Sequence, residues 1–251
     1  MQPIINYKAF IRKNPVLYKY VPLNIANKII EGGTIKFTKC TKLNDPFEYN
    51  IANWDCSNIL HSDKVVINWI QTIQSDKLGI LSLSQKFDII LLWSYYACGH
   101  KGVCIGYDTK YLVNYILNNK DLNKEMLMCS VVKYPKKRIL SNDLIEKIPG
   151  IINYGGVFFN LINTKNILWN FEKEVRLASK SVPDIPITIG IECIKEIYIG
   201  GSFKLNDSEI IKSFFELTKK KFSGKIMQMG YNYEKNTLLA EEYNEVNNIT
   251  I

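Results

Sequence analysis

The sequence predicts an α+β fold: a single domain over residues 1–251, with a twisted mixed or antiparallel sheet and flanking helices. Segments that alternate as strands do and segments with helical spacing are mixed along the chain, without a strict βαβ rhythm. No glycine fingerprint for phosphate follows a predicted strand. The chain has no internal repeat, low-complexity segment or linker, and 47% of its residues are hydrophobic, as in ordinary globular proteins.

The N-terminal part is predicted to form a strand, a helix and a second strand. The first strand is VLYKYVP, the helix is LNIANKIIEGG and the second strand is TIKFTKC. Asn24 is the predicted cap of the helix, and Gly32 and Gly33 end it. Its predicted core-facing residues are Ile25, Ile29 and Ile30.

The rest of the chain is predicted to alternate between strands and helices. Further strands are predicted in GILSLSQ, KGVCIGYD, MLMCSVVKY, LWNFEKEVRL, CIKEIYIGG and KIMQMGYN. Further helices are predicted in KVVINWIQTIQ, DIILLWSYYACG, KYLVNYILNN, NDLIEKIPGIINYGGVFFNLIN and LNDSEIIKSFFELTKKKF, the last begun by Asn206 or Asp207. A C-terminal strand, helix and strand over residues 193–231 are expected to complete the sheet.

The charge balance favours an anionic partner. The formal net charge is +8, from 32 basic and 24 acidic side chains, which suits nucleotides, nucleic acid or an acidic protein. Only YPKKR and TKKKF concentrate basic residues, and short clusters of this kind are typical of solvated turns and helix ends. The charge balance therefore leaves nucleotide binding open and does not demonstrate a nucleic-acid groove.

Cysteine usage and hydropathy favour a cytoplasmic protein without a membrane span. The six cysteines form no CxxC pair, the N-terminus has no signal-peptide pattern, and no segment approaches the ~20 apolar residues that cross a bilayer. Cys98, His100 and Cys104 are the nearest approach to a metal site, but a second half with ligand spacing is missing. We therefore expect reduced thiols and no bound metal.

Several common active-site patterns are absent from the sequence. There is no GxSxG, HExxH or GxxxxGK[ST]. The chain has two histidines, His61 and His100. His61 lies in the polar segment ILHSDK and is interpreted as a bystander, while His100, in the turn CGHKG, is the better functional candidate; a plain turn histidine is an equal alternative.

The segment LWNFEKEVRL carries the most distinctive charge pattern. Interpreted as a strand, it puts Glu172, Glu174 and Arg176 on one face, opposite Phe171, Val175 and Leu177. Such a face is either a solvated surface or the acidic wall of an active site. In a helix, Glu172 and Arg176 would instead form an i,i+4 ion pair.

Four segments occur in a fixed order: LYKY, LNDPFE, LSLS with WSYYACGHKG, and WNFEKEVRL. Together they resemble the bacterial family labelled domain of unknown function 2971, over a region from about residue 17 to residue 200. Tyr95 stands where that family's pattern has a histidine, and His100 matches its second histidine. In NDPFE, Asn44 and Asp45 are expected to close a turn, and Glu48 is a modest site candidate.

The segment LYKYVPLNIANKIIEGGTIKF more distantly resembles the opening of ADP-ribosyltransferase-like folds, whose arginine-type members add Ser-x-Ser and Glu-x-Glu. This resemblance implies NAD as the substrate and Glu174 as the carboxylate that stabilises an oxocarbenium-like ribose. Glu172 would orient or deprotonate the acceptor. The residues expected to contact the dinucleotide are Lys19, Tyr20, Ser82, Ser84, Trp93, Tyr95, Tyr96, His100 and Arg176.

The resemblance implies a protein that transfers ADP-ribose or hydrolyses NAD, as a toxin or phage-defence effector. The acceptor would be a protein or a nucleic acid, and a cognate neutralising protein could exist. One alternative is a nucleic-acid binder or metal-dependent nuclease that uses Glu48, Glu172 and Glu174 as metal-binding acids. Another is a non-catalytic module that senses a nucleotide or binds a protein.

Overall fold

The structure, a computed structural model, describes residues 7–45, 48, 78–119, 128–136, 147–148, 151–152, 162–180, 184–202 and 209–243. The predicted helix KVVINWIQTIQ, His61, and most of the predicted helix NDLIEKIPGIINYGGVFFNLIN lie outside these residues.

The described residues form five α-helices and thirteen strands or short bridging segments. The helices are α1 Tyr7–Lys13, α2 Leu23–Gly32, α3 Ile90–Tyr96, α4 Thr109–Asn118 and α5 Glu209–Lys221. The strands are β1 Val16–Val21, β2 Thr34–Lys36, β3 Thr38–Lys39, β4 Leu78–Ser84, β5 Val103–Asp108, β6 Met128–Val131, β7 Lys147–Ile148, β8 Ile151–Ile152, β9 Glu174–Lys180, β10 Pro186–Thr188, β11 Ile194–Ile199, β12 Lys225–Asn232 and β13 Thr237–Glu242.

The chain divides into two compact units, each built from several segments. The first unit draws on residues 1–10, 36–82 and 117–185, and the second on residues 11–35, 83–116 and 186–251. The sequence predicted a single domain, and that prediction stays a prediction. Strand β4 contributes residues to both units.

In the first unit, β9 lies between β4 and β6 in the sheet. The β6–β9 pair is antiparallel and sets Cys129 opposite Leu177 and Ser130 opposite Arg176. The short strand β3 pairs antiparallel with the start of β4. Val175 and Leu177 are fully buried on one face of β9, so this strand is part of the core of the first unit.

In the second unit, the strand order is β13-β12-β11-β5-β1. All neighbouring pairs are antiparallel except β11 and β12, which are parallel. The β5 residues Val103 to Ile105 are fully buried, and α2 packs against α5. Uninterrupted apolar runs suit a strand that is covered on both faces. The predicted α+β class, with its mixed or antiparallel sheet, is thus confirmed. The predicted ADP-ribosyltransferase-like fold stays a prediction.

Helix α2 confirms the predicted helix but corrects its details. It begins at Leu23, and the carbonyl of Pro22 accepts bonds from the amides of Ile25 and Ala26, both at 3.0 Å. Asn24 therefore lies inside the first turn, and its prediction as the cap is wrong. Ile25 is also 37% exposed rather than core-facing. Gly33 ends the helix with a φ of 55°, the left-handed conformation that favours glycine.

Three further predictions about elements need correction. Inside the predicted helix NDLIEKIPGIINYGGVFFNLIN, Lys147–Ile148 and Ile151–Ile152 pair antiparallel as β7 and β8. KIMQMGYN forms β12 as expected, but it is not the last strand, because β13 pairs with it antiparallel after a turn. LWNFEKEVRL is not one continuous strand: Ile167–Glu172 is a 3-10 helix, Lys173 adopts a φ of 47°, and β9 starts at Glu174.

Within the described part of the chain, the structure has no helix that is both long and apolar enough to cross a membrane.

Candidate functional site

The first unit contains a buried cluster of five charged side chains, which we call the ionic cluster: Glu48, Lys165, Glu172, Glu174 and Arg176. Their side chains are between 1% and 7% exposed. The two interpretations of the acidic segment as a solvated strand face and as a surface helix pair are therefore wrong. Charges this deeply buried are destabilising unless they are paired and hydrogen-bonded.

Strand β9 presents Glu174 and Arg176 on the same face, because side chains two residues apart point to the same side of a strand. Arg176 Nε donates to Glu174 Oε1 at 2.7 Å, and Arg176 Nη2 donates to Glu174 Oε2 at 2.9 Å. This two-point contact fixes the orientation of the carboxylate. Arg176 Nη1 also donates to the carbonyl of Ile162 at 2.6 Å.

Lys165 is held against the start of β9 by its own backbone. The amide of Lys133 donates to the carbonyl of Asn163 at 2.7 Å, and the amide of Lys165 donates to the carbonyl of Lys133 at 3.0 Å. The amide of Val132, in turn, donates to the carbonyl of Glu174 at 2.9 Å. These bonds align the segment that carries Lys165 with the strand that carries Glu174.

The ammonium group of Lys165 contacts all three carboxylates of the ionic cluster. Its Nζ lies 2.6 Å from Glu172 Oε2, 3.4 Å from Glu174 Oε2 and 3.4 Å from Glu48 Oε1. It also lies 4.6 Å from the centroid of the Trp169 ring, within the range of a cation–π contact. Glu172 reaches the cluster even though it is not on β9, because the left-handed Lys173 turns the chain between them.

Glu48 enters the cluster from the NDPFE turn. Its amide donates to the carbonyl of Asp45 at 3.0 Å, which closes a turn where the sequence predicted one. Glu48 Oε1 accepts from Arg176 Nη2 at 2.5 Å. Glu48 Oε2 is buried and has no hydrogen-bond partner among the described residues.

The environments of Glu174 and Glu48 push their pKa values in opposite directions. Burial alone would raise the pKa of Glu174, but the charge and hydrogen bonds of Arg176, with Lys165 and the Ser82 hydroxyl, lower it to about 2. Burial raises the pKa of Glu48 despite the opposing charges of Arg176 and Lys165. Burial would lower the pKa of Lys165, but the three carboxylates raise it. Glu174 is consequently an ionised carboxylate at neutral pH.

The donor set of the ionic cluster does not suit a metal ion. Each of the three carboxylates is already contacted by the Lys165 ammonium or the Arg176 guanidinium, and these two positive charges would repel a metal cation. Among the residues that the structure describes, no group of three or more His, Cys, Asp or Glu side chains could hold a metal ion.

Two predicted dinucleotide contacts have packing roles in the second unit. The Tyr20 hydroxyl donates to the carbonyl of Lys86 at 2.8 Å and accepts from the amide of Ile89. Trp93 is fully buried, donates from Nε1 to the carbonyl of Phe87 at 2.7 Å, and meets Tyr20 edge-on. Stacking of Trp93 on a ligand would require this packing to open.

His100 lies in the turn that follows α3, also in the second unit. It adopts a φ of 67°, directly after Cys98 and Gly99, which are left-handed too. Its Nε2 lies 3.3 Å from the Ser94 hydroxyl, and its ring stacks on Trp93. Burial lowers the pKa of His100, which favours the neutral ring.

Four more of the predicted contacts also belong to the second unit. Lys19 is half-buried on β1, opposite Ile105. Ser84 is buried, and its hydroxyl accepts from the amide of Lys86 at 3.2 Å. Tyr95 is 63% exposed, whereas Tyr96 is half-buried. Ser82, by contrast, belongs to the first unit and hydrogen-bonds Glu174.

The structure thus brings together Glu172, Glu174, Arg176 and Ser82 of the predicted site. It adds Lys165, which sequence reasoning missed because a single lysine in NTKN carries no pattern. Glu48 was only a modest candidate, and its place in a turn-forming motif gave no sign that its carboxylate contacts Arg176.

Residues 92–177 match the model of a family described as Protein of unknown function (DUF2971). The predicted resemblance to this family is therefore confirmed over that segment, which contains WSYYACGHKG and WNFEKEVRL. The segments LYKY, LNDPFE and LSLS lie outside it. No curated protein and no solved structure matches the chain.

Proposed function

We propose that this chain, whose residues 92–177 match the DUF2971 family, binds NAD and breaks the bond between nicotinamide and ribose. ADP-ribose would pass to an acceptor or to water. The observation that carries the proposal is the Glu174 carboxylate, kept ionised and oriented by Arg176 while it accepts a hydrogen bond from Ser82.

This chemistry places a specific demand on the site. As the bond to nicotinamide breaks, positive charge grows on the ribose, in the manner of glycoside cleavage. A carboxylate that is already ionised and held in place stabilises that charge without reorganising at the moment of reaction. Glu174 meets this demand, because its pKa of about 2 keeps it charged at neutral pH.

Glu174 is buried, so the substrate needs a route to its carboxylate. Its side chain is 4% exposed, so the ribose reaches it only if covering side chains move. The positively charged Arg176 and Lys165 would remain near the substrate and attract its phosphates. The acceptor would be a protein or a nucleic acid, and a toxin or phage-defence role would pair the chain with a neutralising protein.

The test is release of nicotinamide from NAD by the full chain, compared with Glu174→Gln. We expect release by the wild type and a loss of ~10²–10³-fold in the variant, the usual effect of removing one electrostatic stabiliser of a transition state. Glu234→Gln, at an exposed turn position, is the matched control and should behave as the wild type. Equal rates for the wild type and Glu174→Gln would contradict the proposal.

A second candidate is a non-catalytic module that senses a nucleotide. It is favoured by the mutual pairing of Lys165 and Arg176 with all three carboxylates, an arrangement that also stabilises a fold without chemistry. Tight NAD binding by calorimetry without nicotinamide release would favour this candidate. Magnesium-dependent cleavage of DNA or RNA would instead favour the nuclease alternative, which the two cations beside the carboxylates disfavour.

A further inference from the structure

Glu48 differs from Glu172 and Glu174 because one of its carboxylate oxygens is buried without a hydrogen-bond partner among the described residues. Both oxygens of Glu174 accept bonds from Arg176, and Glu172 Oε2 accepts from Lys165 at 2.6 Å. Glu48 is anchored through Oε1, which lies 2.5 Å from Arg176 Nη2 and 3.4 Å from Lys165 Nζ. The Glu48 side chain is only 2% exposed, so water on the protein surface does not supply a donor to Oε2 in its place.

A buried carboxylate oxygen without a donor is costly, so its occurrence calls for an explanation. A donor that arrives with a ligand would satisfy it, and a water molecule or an acceptor hydroxyl or amine is such a donor. Glu48 and Glu174 also share one guanidinium nitrogen, since Arg176 Nη2 donates to both. A donor bound to Glu48 Oε2 would therefore lie close to the carboxylate proposed to stabilise the ribose.

We infer that Glu48, rather than Glu172, is the base of this site and takes the proton of the nucleophile that attacks the ribose. The inference rests on the proposed function and names a further catalytic residue for it. It replaces the base role that the sequence assigned to Glu172, whose Oε2 is contacted closely by Lys165.

Water is the simplest nucleophile for this step. The bond between ribose C1′ and the nicotinamide nitrogen breaks, and its electron pair stays on nicotinamide, which leaves as a neutral molecule. The water oxygen forms the new bond to C1′, and the water proton moves to Glu48 Oε2. With an acceptor hydroxyl or amine, the same proton is transferred from that group. Glu174 remains ionised throughout.

Two carboxylates with different environments can divide the work in this way. Burial raises the pKa of Glu48, and a carboxylate with a raised pKa is a stronger base. The charged groups around it are Arg176, Lys165 and Glu174: the first two lower its pKa and the third raises it. Glu172 contributes indirectly, by sharing Lys165.

The test measures the pH dependence of nicotinamide release for the wild type, Glu48→Gln, Glu48→Asp and Glu174→Gln. We expect the wild-type rate to rise with pH as Glu48 ionises. Glu48→Gln should be slower by ~10²–10⁴-fold and lose this rise, because an amide cannot take the proton. Glu48→Asp should keep a rise, at a shifted midpoint and with a reduced rate, because it retains a carboxylate in a displaced position.

The outcomes separate this inference from the proposed function. If the wild type releases nicotinamide and Glu174→Gln does not, while Glu48→Gln matches the wild type in rate and pH profile, Glu48 is not the base and the proposed function stands. If the wild type releases none, the proposed function fails, and the base role fails with it. Should Glu48→Gln not fold, as judged by circular dichroism, an unshifted midpoint in Glu48→Asp would equally overturn the inference.

Discussion

Arg176 forms a bidentate contact with the carboxylate of Glu174: Nε donates to Oε1 at 2.7 Å, and Nη2 donates to Oε2 at 2.9 Å. The two residues are neighbours on one face of the same strand, so the geometry of β9 places their side chains together. The guanidinium also reaches the Ile162 carbonyl and Glu48 Oε1. A planar group with five N–H donors can make all of these bonds together, whereas a lysine ammonium cannot.

Replacing Arg176 is therefore expected to destabilise the fold. Arg176→Met should lower the free energy of unfolding by ~3–5 kcal/mol, because it leaves Glu174 and Glu48 buried with Lys165 as their remaining cation. Arg176→Lys should still cost ~1–3 kcal/mol through lost hydrogen bonds. Urea unfolding followed by circular dichroism measures both effects.

The exposed Arg12, in the last turn of α1, is the matched control for these two variants. Arg12→Lys should change the free energy of unfolding by less than ~0.5 kcal/mol. An Arg176→Lys variant as stable as the wild type would show that the guanidinium geometry has no energetic role.

Glu174 makes the stability of the fold depend on acidity. Its pKa falls from the usual 4.5 to about 2 on folding, because Arg176 and Lys165 outweigh the effect of burial. A group with a depressed folded pKa contributes stability that is present above the unfolded pKa. That contribution is lost as pH falls from about 4.5 towards about 2.

We expect the free energy of unfolding of the wild type to drop across this window. Glu174→Gln should be less stable at neutral pH and should show a shallower drop, since the amide does not titrate. Glu234→Gln should retain the wild-type slope, because Glu234 is exposed. A Glu174→Gln curve parallel to that of the wild type throughout the window would mean that Glu174 is not held ionised in the fold.

Local signals in the sequence predicted most of the described elements. The strands predicted in GILSLSQ, KGVCIGYD, CIKEIYIGG and KIMQMGYN correspond to β4, β5, β11 and β12, and four of the predicted helices correspond to α2 to α5. The predicted strand in LWNFEKEVRL failed in its first half, because alternation alone does not reveal that Lys173 adopts a left-handed φ. The strand β13 was missed because TLLAEE has no strict alternation of apolar and polar residues.

The site was predictable only in part, for a physical reason. Glu174 and Arg176 are two residues apart, so the period of a strand is enough to place them together. Lys165 joins them through backbone bonds to Lys133, and Glu48 joins through contacts across 128 positions of sequence. No local pattern encodes contacts of that kind. Burial of the cluster was likewise missed, since alternating charges normally face solvent.

The turn after α3 depends on a close backbone approach at Gly200. The amide of Gly200 donates to the carbonyl of Gly102 at 3.0 Å, and a Cβ at Gly200 would overlap the carbonyl of His100. Backbone atoms cannot move aside as a flexible side chain can, so Gly200→Ala should lower the free energy of unfolding by ~1–3 kcal/mol.

Gly230 provides the matched control for Gly200 on a neighbouring strand. A Cβ there would lie 2.9 Å from Leu239 Cδ1, the end of a flexible side chain. Gly230→Ala should thus cost less than Gly200→Ala in thermal unfolding. The reverse order would contradict the close approach of Gly200 to the His100 turn.

The sequence predicted that Lys19 and Tyr20, both on β1, contact the dinucleotide. Their different environments in the structure lead us to expect different effects when each is replaced. The Tyr20 hydroxyl is engaged by the carbonyl of Lys86 at 2.8 Å and by the amide of Ile89. Tyr20→Phe removes both of these partly buried hydrogen bonds and should lower the free energy of unfolding by ~1–3 kcal/mol. Because the Tyr20 hydroxyl of the wild type is engaged within the fold, Tyr20→Phe should bind NAD with an unchanged Kd.

Lys19 is only half-buried and carries a charge that suits phosphate. If Lys19 contacts a phosphate of the dinucleotide, as the sequence predicted, Lys19→Met should weaken NAD binding by about tenfold, equivalent to ~1.4 kcal/mol, with little change in stability. Calorimetric titration with NAD measures Kd for both variants, and urea unfolding measures their stability. A weaker Kd for Tyr20→Phe, with Lys19→Met unchanged, would reverse the assignment and make the tyrosine hydroxyl the dinucleotide contact.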